Sequence, residues 1–152
     1  TSSVFLPTFS TASVTGSVAL AARAGELATF RFSELGYDPL DILSTSASAP
    51  VAPVAESDDV AMARANDALA YGGEVHVTVE EPFERFGELA STAGSEFGVP
   101  FADIFEAHDW EFYDLPVEVF APAQVTVDIV GEGVEVVGET KEELLEESFG
   151  LS

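Results

Sequence analysis

The chain has no cysteine and only five basic residues among 152. Without thiols there is no disulfide frame, thiolate nucleophile, iron-sulfur cluster or Cys-ligated zinc. Arg23, Arg31, Arg64, Arg85 and Lys141 are scattered along the chain. No basic patch is therefore available to release phosphate counterions, which excludes nucleic acid and anionic membrane surfaces as partners. Long apolar runs are missing too. The longest, Val18 to Ala22, falls far short of the roughly 20 residues that a spanning helix needs. Thr1 to Ser17 has neither the basic start nor the apolar stretch of an export signal, and the expected site of production and residence, or of assembly, is the cytoplasm.

Acid is what the sequence has in excess: 28 Asp and Glu give a formal charge of -23. Such charge in a chain poor in apolar residues means disorder. Here Val, Leu, Phe and Ile make up 45 of 152 residues, well above the roughly one fifth below which highly charged chains stay unfolded. A core forms, and the carboxylates become its coat. In dilute salt that coat repels itself. Near 1 M salt the Debye length shrinks to about 3 Å, which removes most of the repulsion while the carboxylates keep the molecule hydrated. The composition therefore points to a protein adapted to molar salt, as in the salt-in cytoplasm of halophilic archaea.

Residues 1–152 read as one domain of α+β class. An antiparallel sheet or sandwich is expected from N- and C-terminal strands, with three to five short helices, mainly central. Residues 1–16 read as an extended arm. Up to Ser33 apolar residues mostly alternate, with Ala12 and Val14, then Val18, Leu20 and Ala22, then Ala28, Phe30 and Phe32 on one side of strands and a turn at Ala24-Gly25. Asp38 before Pro39 caps a short helix over Leu40 to Leu43. The Pro/Ala/Ser-rich stretch 44–57 reads as a loop or linker. Ser57 caps an Ala-rich helix from Asp58 to about Tyr71, and Glu74 to Glu80 alternates cleanly with Val75, Val77 and Val79 inward. Pro82 opens a helix carrying Phe83, Phe86, Leu89, Ala90 and Ala93, and a second places Phe101, Ile104, Phe105 and His108 on one face. Strands are expected over Glu111 to Phe120, Gln124 to Val130 and Val134 to Val137, joined through Pro122 and the Gly131-Glu132-Gly133 turn. Thr140 with Glu143 reads as a capping box for a helix over 140–150.

Motifs for chemistry are few. Gly94-Ser95-Glu96-Phe97-Gly98 has its serine one position too early for a nucleophile elbow. Gly131, Gly133 and Gly138 miss the dinucleotide spacing, and Lys141, the sole lysine, lies in no phosphate loop. Glu106, His108, Asp109 and Glu111 form the densest cluster of cation donors, in no recognised ligand pattern. His76 falls on the polar side of its strand. Carboxylate pairs such as Glu80/Glu84 or Glu143/Glu147 carry no weight among 28 acids.

With no catalytic constellation and no cofactor motif, the expected function is a non-catalytic structural subunit of a large halophilic assembly. Its most concrete form is a virion protein of a halophilic archaeal virus, capsid-associated, tail or connector, located in the virion. Its partners would be copies of itself and other structural subunits. Phe5, Leu6 and Phe9 of the arm and Leu144, Leu145 and Phe149 of the last helix are the expected partner contacts, since segments this short are marginal alone. The alternative is a cytoplasmic small-molecule or cation-binding module, or a small enzyme, using a cleft near His108, Trp110 and Tyr113.

Overall fold

Three of the four strands are written by valine. Val75, Val77, Val79, Val125, Val127 and Val137 alternate along their strands and are buried, so one face of a sheet is apolar and must be covered. A computed structural model describes residues 2–151. In it β1 (Ile42–Ser48), β2 (Glu74–Val79), β3 (Gln124–Ile129) and β4 (Gly133–Gly138) form one sheet in the order β1-β2-β3-β4. The outer pairings are antiparallel, whereas β2 and β3 run parallel, with Val75 beside Val125 and Val77 beside Val127. A parallel pair needs a long crossover, and residues 80–123 supply it.

The valine face is covered by α2 (Ala24–Leu35), through Ala24, Leu27, Ala28, Phe32 and Leu35, together with Phe86 and Leu89 from the crossover. Burial of each Leu or Phe side chain contributes about 1.5–3 kcal/mol. The opposite face is polar: Ser46, His76 and Thr126 lie side by side across three strands. A second core joins α3 (Asp58–Gly72), α4 (Phe101–Ala107) and α5 (Glu142–Phe149) around Tyr71, Phe101, Phe105 and Leu145. At Gly72 an added Cβ would lie 2.7 Å from Pro50 and 2.8 Å from Leu145, so α5 and the 49–57 loop close on a position with no room for a side chain. Among the described residues no helix is long and apolar enough to cross a membrane.

The α+β class holds, but the N-terminal strands do not. Their place is taken by α1 (Val14–Ala21) and α2. Ser13 caps α1 by accepting from the Gly16 amide at 3.0 Å. Ala24, Leu27, Ala28, Arg31, Phe32 and Leu35 recur at helical spacing and are buried, while Phe30 is 55% exposed. The sheet is accordingly mixed, built wholly from residues after Asp41. Ser44 to Ser48 belong to β1, because ladder hydrogen bonds are made by backbone and small polar side chains suit an uncovered sheet face. The chain turns irregular only from 49, with Pro50 and Pro53.

The helix expected to open at Pro82 is not continuous. Phe86–Glu88 and Ser91–Ala93 are single 3-10 turns. The expected strand over Glu111 to Phe120 is likewise two 3-10 turns, Phe112–Asp114 and Val117–Val119, with no neighbour to pair with. Pro39–Asp41 is one 3-10 turn capped by Asp38. Lys141, not Thr140, is the N-cap of α5 and makes no side-chain cap; the Lys141 amide instead donates to the Tyr71 carbonyl at 2.8 Å. Residues 2–10 of the arm are exposed and without regular structure, and Thr1 lies outside the described residues.

Candidate active-site cleft

Helical spacing on α2 places Arg23, Glu26, Leu27 and Phe30 along one stripe, and the same spacing on α3 aligns Met62, Asn66 and Leu69. These stripes wall a cleft of about 490 Å³, closed on its other side by Phe105, Phe112 and Phe120. The volume falls within the range of small-molecule sites, which are mostly apolar with a few convergent polar groups. Leu27, Leu69 and Phe105 are buried and belong to the core. Phe30 and Phe112 keep much of their surface exposed.

Thr11 forms part of the rim, and Asp58 at the start of α3 holds it there. Ser10 Oγ donates to Asp58 at 2.6 Å and the Ala12 amide at 2.7 Å. These donors, Ser10 first, hold the Asp58 carboxyl below its ordinary range. Gly16 packs against the same turn so closely that a Cβ would sit 2.4 Å from the Thr11 carbonyl oxygen.

The charged group of the cleft is a fork. Arg23 Nε donates to Glu26 Oε2 at 3.0 Å and Nη2 to Oε1 at 2.9 Å, a bidentate arrangement that fixes both side chains. The hydrogen bonds from Arg23 hold the Glu26 carboxyl below its usual range, and the first-turn position of Glu26 acts in the same direction through the helix dipole. Arg23 in turn holds its proton more firmly. Glu26 is thus ionised at neutral pH, oriented, and open to the cleft.

Asp67, the neighbour of Asn66, points the other way. It is 1% exposed and accepts from the Phe101 amide at 2.8 Å and from Ser148 Oγ at 2.6 Å, so α3 is tied to the start of α4 and the end of α5. Burial pushes its carboxyl up to about 6 despite those donors. Burial likewise pushes the Tyr71 hydroxyl up to about 12; it donates to the Val99 carbonyl at 2.6 Å.

The residues singled out from sequence lie elsewhere. Phe5, Leu6 and Phe9 are exposed on the arm, Phe5 by 89%. Leu145 is buried, and Leu144 and Phe149 pack partly buried against α3 and α4, so the last helix is held by the chain's own body. His108 ends α4 as its C-cap, and Asp109 and Trp110 follow with positive φ. Among the described residues no three His, Asp or Glu side chains gather as a metal site. None of His108, Trp110 and Tyr113 lines the cleft; Trp110 packs against two of its rings, tilted to Phe105 with centroids 5.3 Å apart and edge-on to Phe112 at 6.4 Å. His76 is on the open sheet face. Arg23, Glu26 and Asn66 were not legible as a site. The signal that would have found the first two is an Arg–Glu pair at i,i+3, readable only once that stretch is recognised as helix.

Residues 1–149 match the family model described as Cyclohydrolase (MCH). Proteins named methenyltetrahydromethanopterin cyclohydrolase are similar over nearly the whole chain. That of Halobacterium salinarum is 53% identical over 150 residues, covering 99% of this chain and 48% of the relative. Those of Methanosphaerula palustris and Methylobacillus flagellatus are each 35% identical, over 144 and 147 residues, covering 93% of this chain and 46% and 45% of the relatives. The chain spans about half the length of the curated relatives it matches. A family-wide match to enzymes overturns the expectation of a non-catalytic virion subunit, together with its virion location and its capsid, tail or connector partners. By this match the chain belongs to the cyclohydrolase (MCH) family.

Proposed function

We propose that the chain carries the hydrolytic cleft of a methenyltetrahydromethanopterin cyclohydrolase, and that the Arg23–Glu26 fork at the wall of that cleft performs the chemistry. The observation that carries this reading is the fork itself: an ionised, oriented carboxylate on an aromatic-lined cavity of ligand size. A methenyl group bridging two nitrogens is a delocalised cation whose carbon is electrophilic. Water adds to that carbon and loses a proton, leaving a hydroxyl; as one C–N bond of the ring breaks, its nitrogen takes up a proton, the hydroxyl gives its own proton to solvent to become the carbonyl, and a formyl group stays on the other nitrogen. The balance is one water consumed and one proton released.

Glu26 serves this sequence in two ways. Its negative charge attracts the cationic carbon, and its oxygen accepts the proton of the attacking water and returns it to the departing nitrogen. A carboxylate held below its usual range is a weak base, and the cationic carbon compensates by making water acidic as it bonds. Arg23 keeps the carboxylate ionised and aimed. The Phe rings supply flat apolar walls for a heterocycle. The charge of -23 and the likeness to the Halobacterium salinarum relative support molar salt as the working medium.

The test is turnover. In molar KCl the protein should consume the methenyl compound, followed as loss of its absorbance. E26Q should lose most of kcat with little change in binding. Full activity in E26Q, or none in the wild type, overturns the reading.

A further inference from the structure

Asn66 is the one side-chain amide on the cleft. Asparagine is a poor residue for the middle of a helix, because its side chain competes for backbone hydrogen bonds. Here Nδ2 donates to the Met62 carbonyl one turn back at 2.9 Å. That bond fixes the amide plane and its sense, since a carbonyl oxygen in that place would face another carbonyl. Asn66 makes no other side-chain hydrogen bond among the described residues, and no buried side-chain polar atom there lacks a partner. Its Oδ1 is therefore reached by solvent at the cleft wall, and its second N–H has no acceptor among the described residues. Met62 and Leu69 flank it on α3, so the amide stands alone in an apolar wall.

An oriented amide offers one acceptor beside one donor in a plane. Its complement is a flat ring edge with a donor beside an acceptor, as in a cyclic amide or amidine. We infer that Asn66 reads the amide edge of the pterin ring and so sets which end of the substrate enters the cleft, leaving the methenyl carbon toward Glu26 on the facing helix. This rests on the cyclohydrolase reading above. An apolar slot alone accepts any flat ring, whereas an amide that loses its partner on desolvation rejects rings without the matching edge.

The test uses two rings of the same plane: 6-methylpterin, which has the amide edge, and pteridine, which lacks it. Binding is read from the fluorescence of Trp110, the single tryptophan, whose ring touches Phe105 and Phe112 of the cleft wall. N66L should weaken 6-methylpterin about 10- to 100-fold and leave pteridine unchanged. KM for the methenyl substrate should rise by a similar factor, with kcat within a few fold. N66S, shorter and without a donor and an acceptor side by side in one plane, should behave the same way and covers the case in which N66L fails to fold. Equal weakening of both rings, or of neither, overturns the inference. Selective loss of 6-methylpterin binding in a protein without turnover would sink the cyclohydrolase reading and leave Asn66's role standing; turnover without that selectivity would do the reverse.

Discussion

Glu26 in the first turn of α2 and Asp67 in the middle of α3 are carboxylates on the two helices that wall one cleft. Their protons are governed oppositely. Glu26 meets a guanidinium in bidentate contact and water on its other side, and is held below its ordinary range. Asp67 has two neutral donors and no cation, inside the α3–α4–α5 junction, and is pushed up to about 6. Hydrogen bonds from an amide and a hydroxyl do not repay the loss of water around a charge; a cation with solvent beside it does. In a chain with 28 acids and five bases, where a cation is placed decides which carboxylate is available for chemistry.

The comparison breaks first on turnover. E26Q should lower kcat by about 10²–10⁴-fold, the usual worth of a positioned acid/base. D67N should leave kcat within about twofold, since Asn presents an acceptor to the Phe101 amide and a donor to Ser148. Equal losses in steady-state assays of the two variants would erase the distinction between reactive and structural carboxylate.

Stability against pH sharpens it next. The folded-state value of Asp67 lies above its unfolded value of 3.8. Its contribution is therefore present in full below about 3.8 and is lost as pH rises through about 6. The difference between the two values corresponds to about 3 kcal/mol. D67N lacks that loss, so at pH 8 it should be more stable than wild type by up to about 3 kcal/mol, with the gap closing toward pH 4. Denaturant titrations in molar KCl across that range measure it, and a gap that is constant with pH refutes the assignment.

Ser148 gives a smaller effect. S148A removes one donor to Asp67, should cost about 1 kcal/mol at pH 7, and should push the Asp67 carboxyl higher still, readable by carboxyl carbon NMR. The smallest change in stability is expected for R23L, under about 1 kcal/mol, because the Arg23–Glu26 pair is solvent-screened. Its diagnostic effect is kinetic: without the guanidinium, Glu26 returns toward ordinary carboxylate values, so the acid limb of the pH–rate profile should move to higher pH.

Where the sequence was readable, a local rule had no competitor. Val75, Val77 and Val79 alternate without ambiguity in β2. Ser57 before two aspartates caps α3, accepting from the Val60 amide at 3.3 Å. In α2 two periods compete. Ala28, Phe30 and Phe32 fit a strand, while the helical stripe contains Arg31, a charge on a buried face. Arg31 is tolerated there only because Nε donates to the Glu88 carbonyl and Nη1 pairs with Glu34, partners 57 and three residues away. Glu111 to Phe120 has the composition of a strand, but a strand exists only where another pairs with it, and this segment lies in the crossover between β2 and β3, in no ladder of the sheet. The site was hidden for a related reason. A single carboxylate on a cleft leaves no motif, and one acid among 28 has no signature until a cation and an apolar wall are brought to it.

By itself the sequence determined the acid coat, the foldable core, the α+β class and the lack of any thiol chemistry, since each depends on totals or on neighbours within a few residues. The tertiary structure alone decided the parallel β2–β3 pairing, the helices at the N-terminus, the opposed states of Glu26 and Asp67, and the meeting of α2 with α3 across a cleft. Those depend on groups tens of residues apart, whose distance and shielding from water are set only when the chain closes.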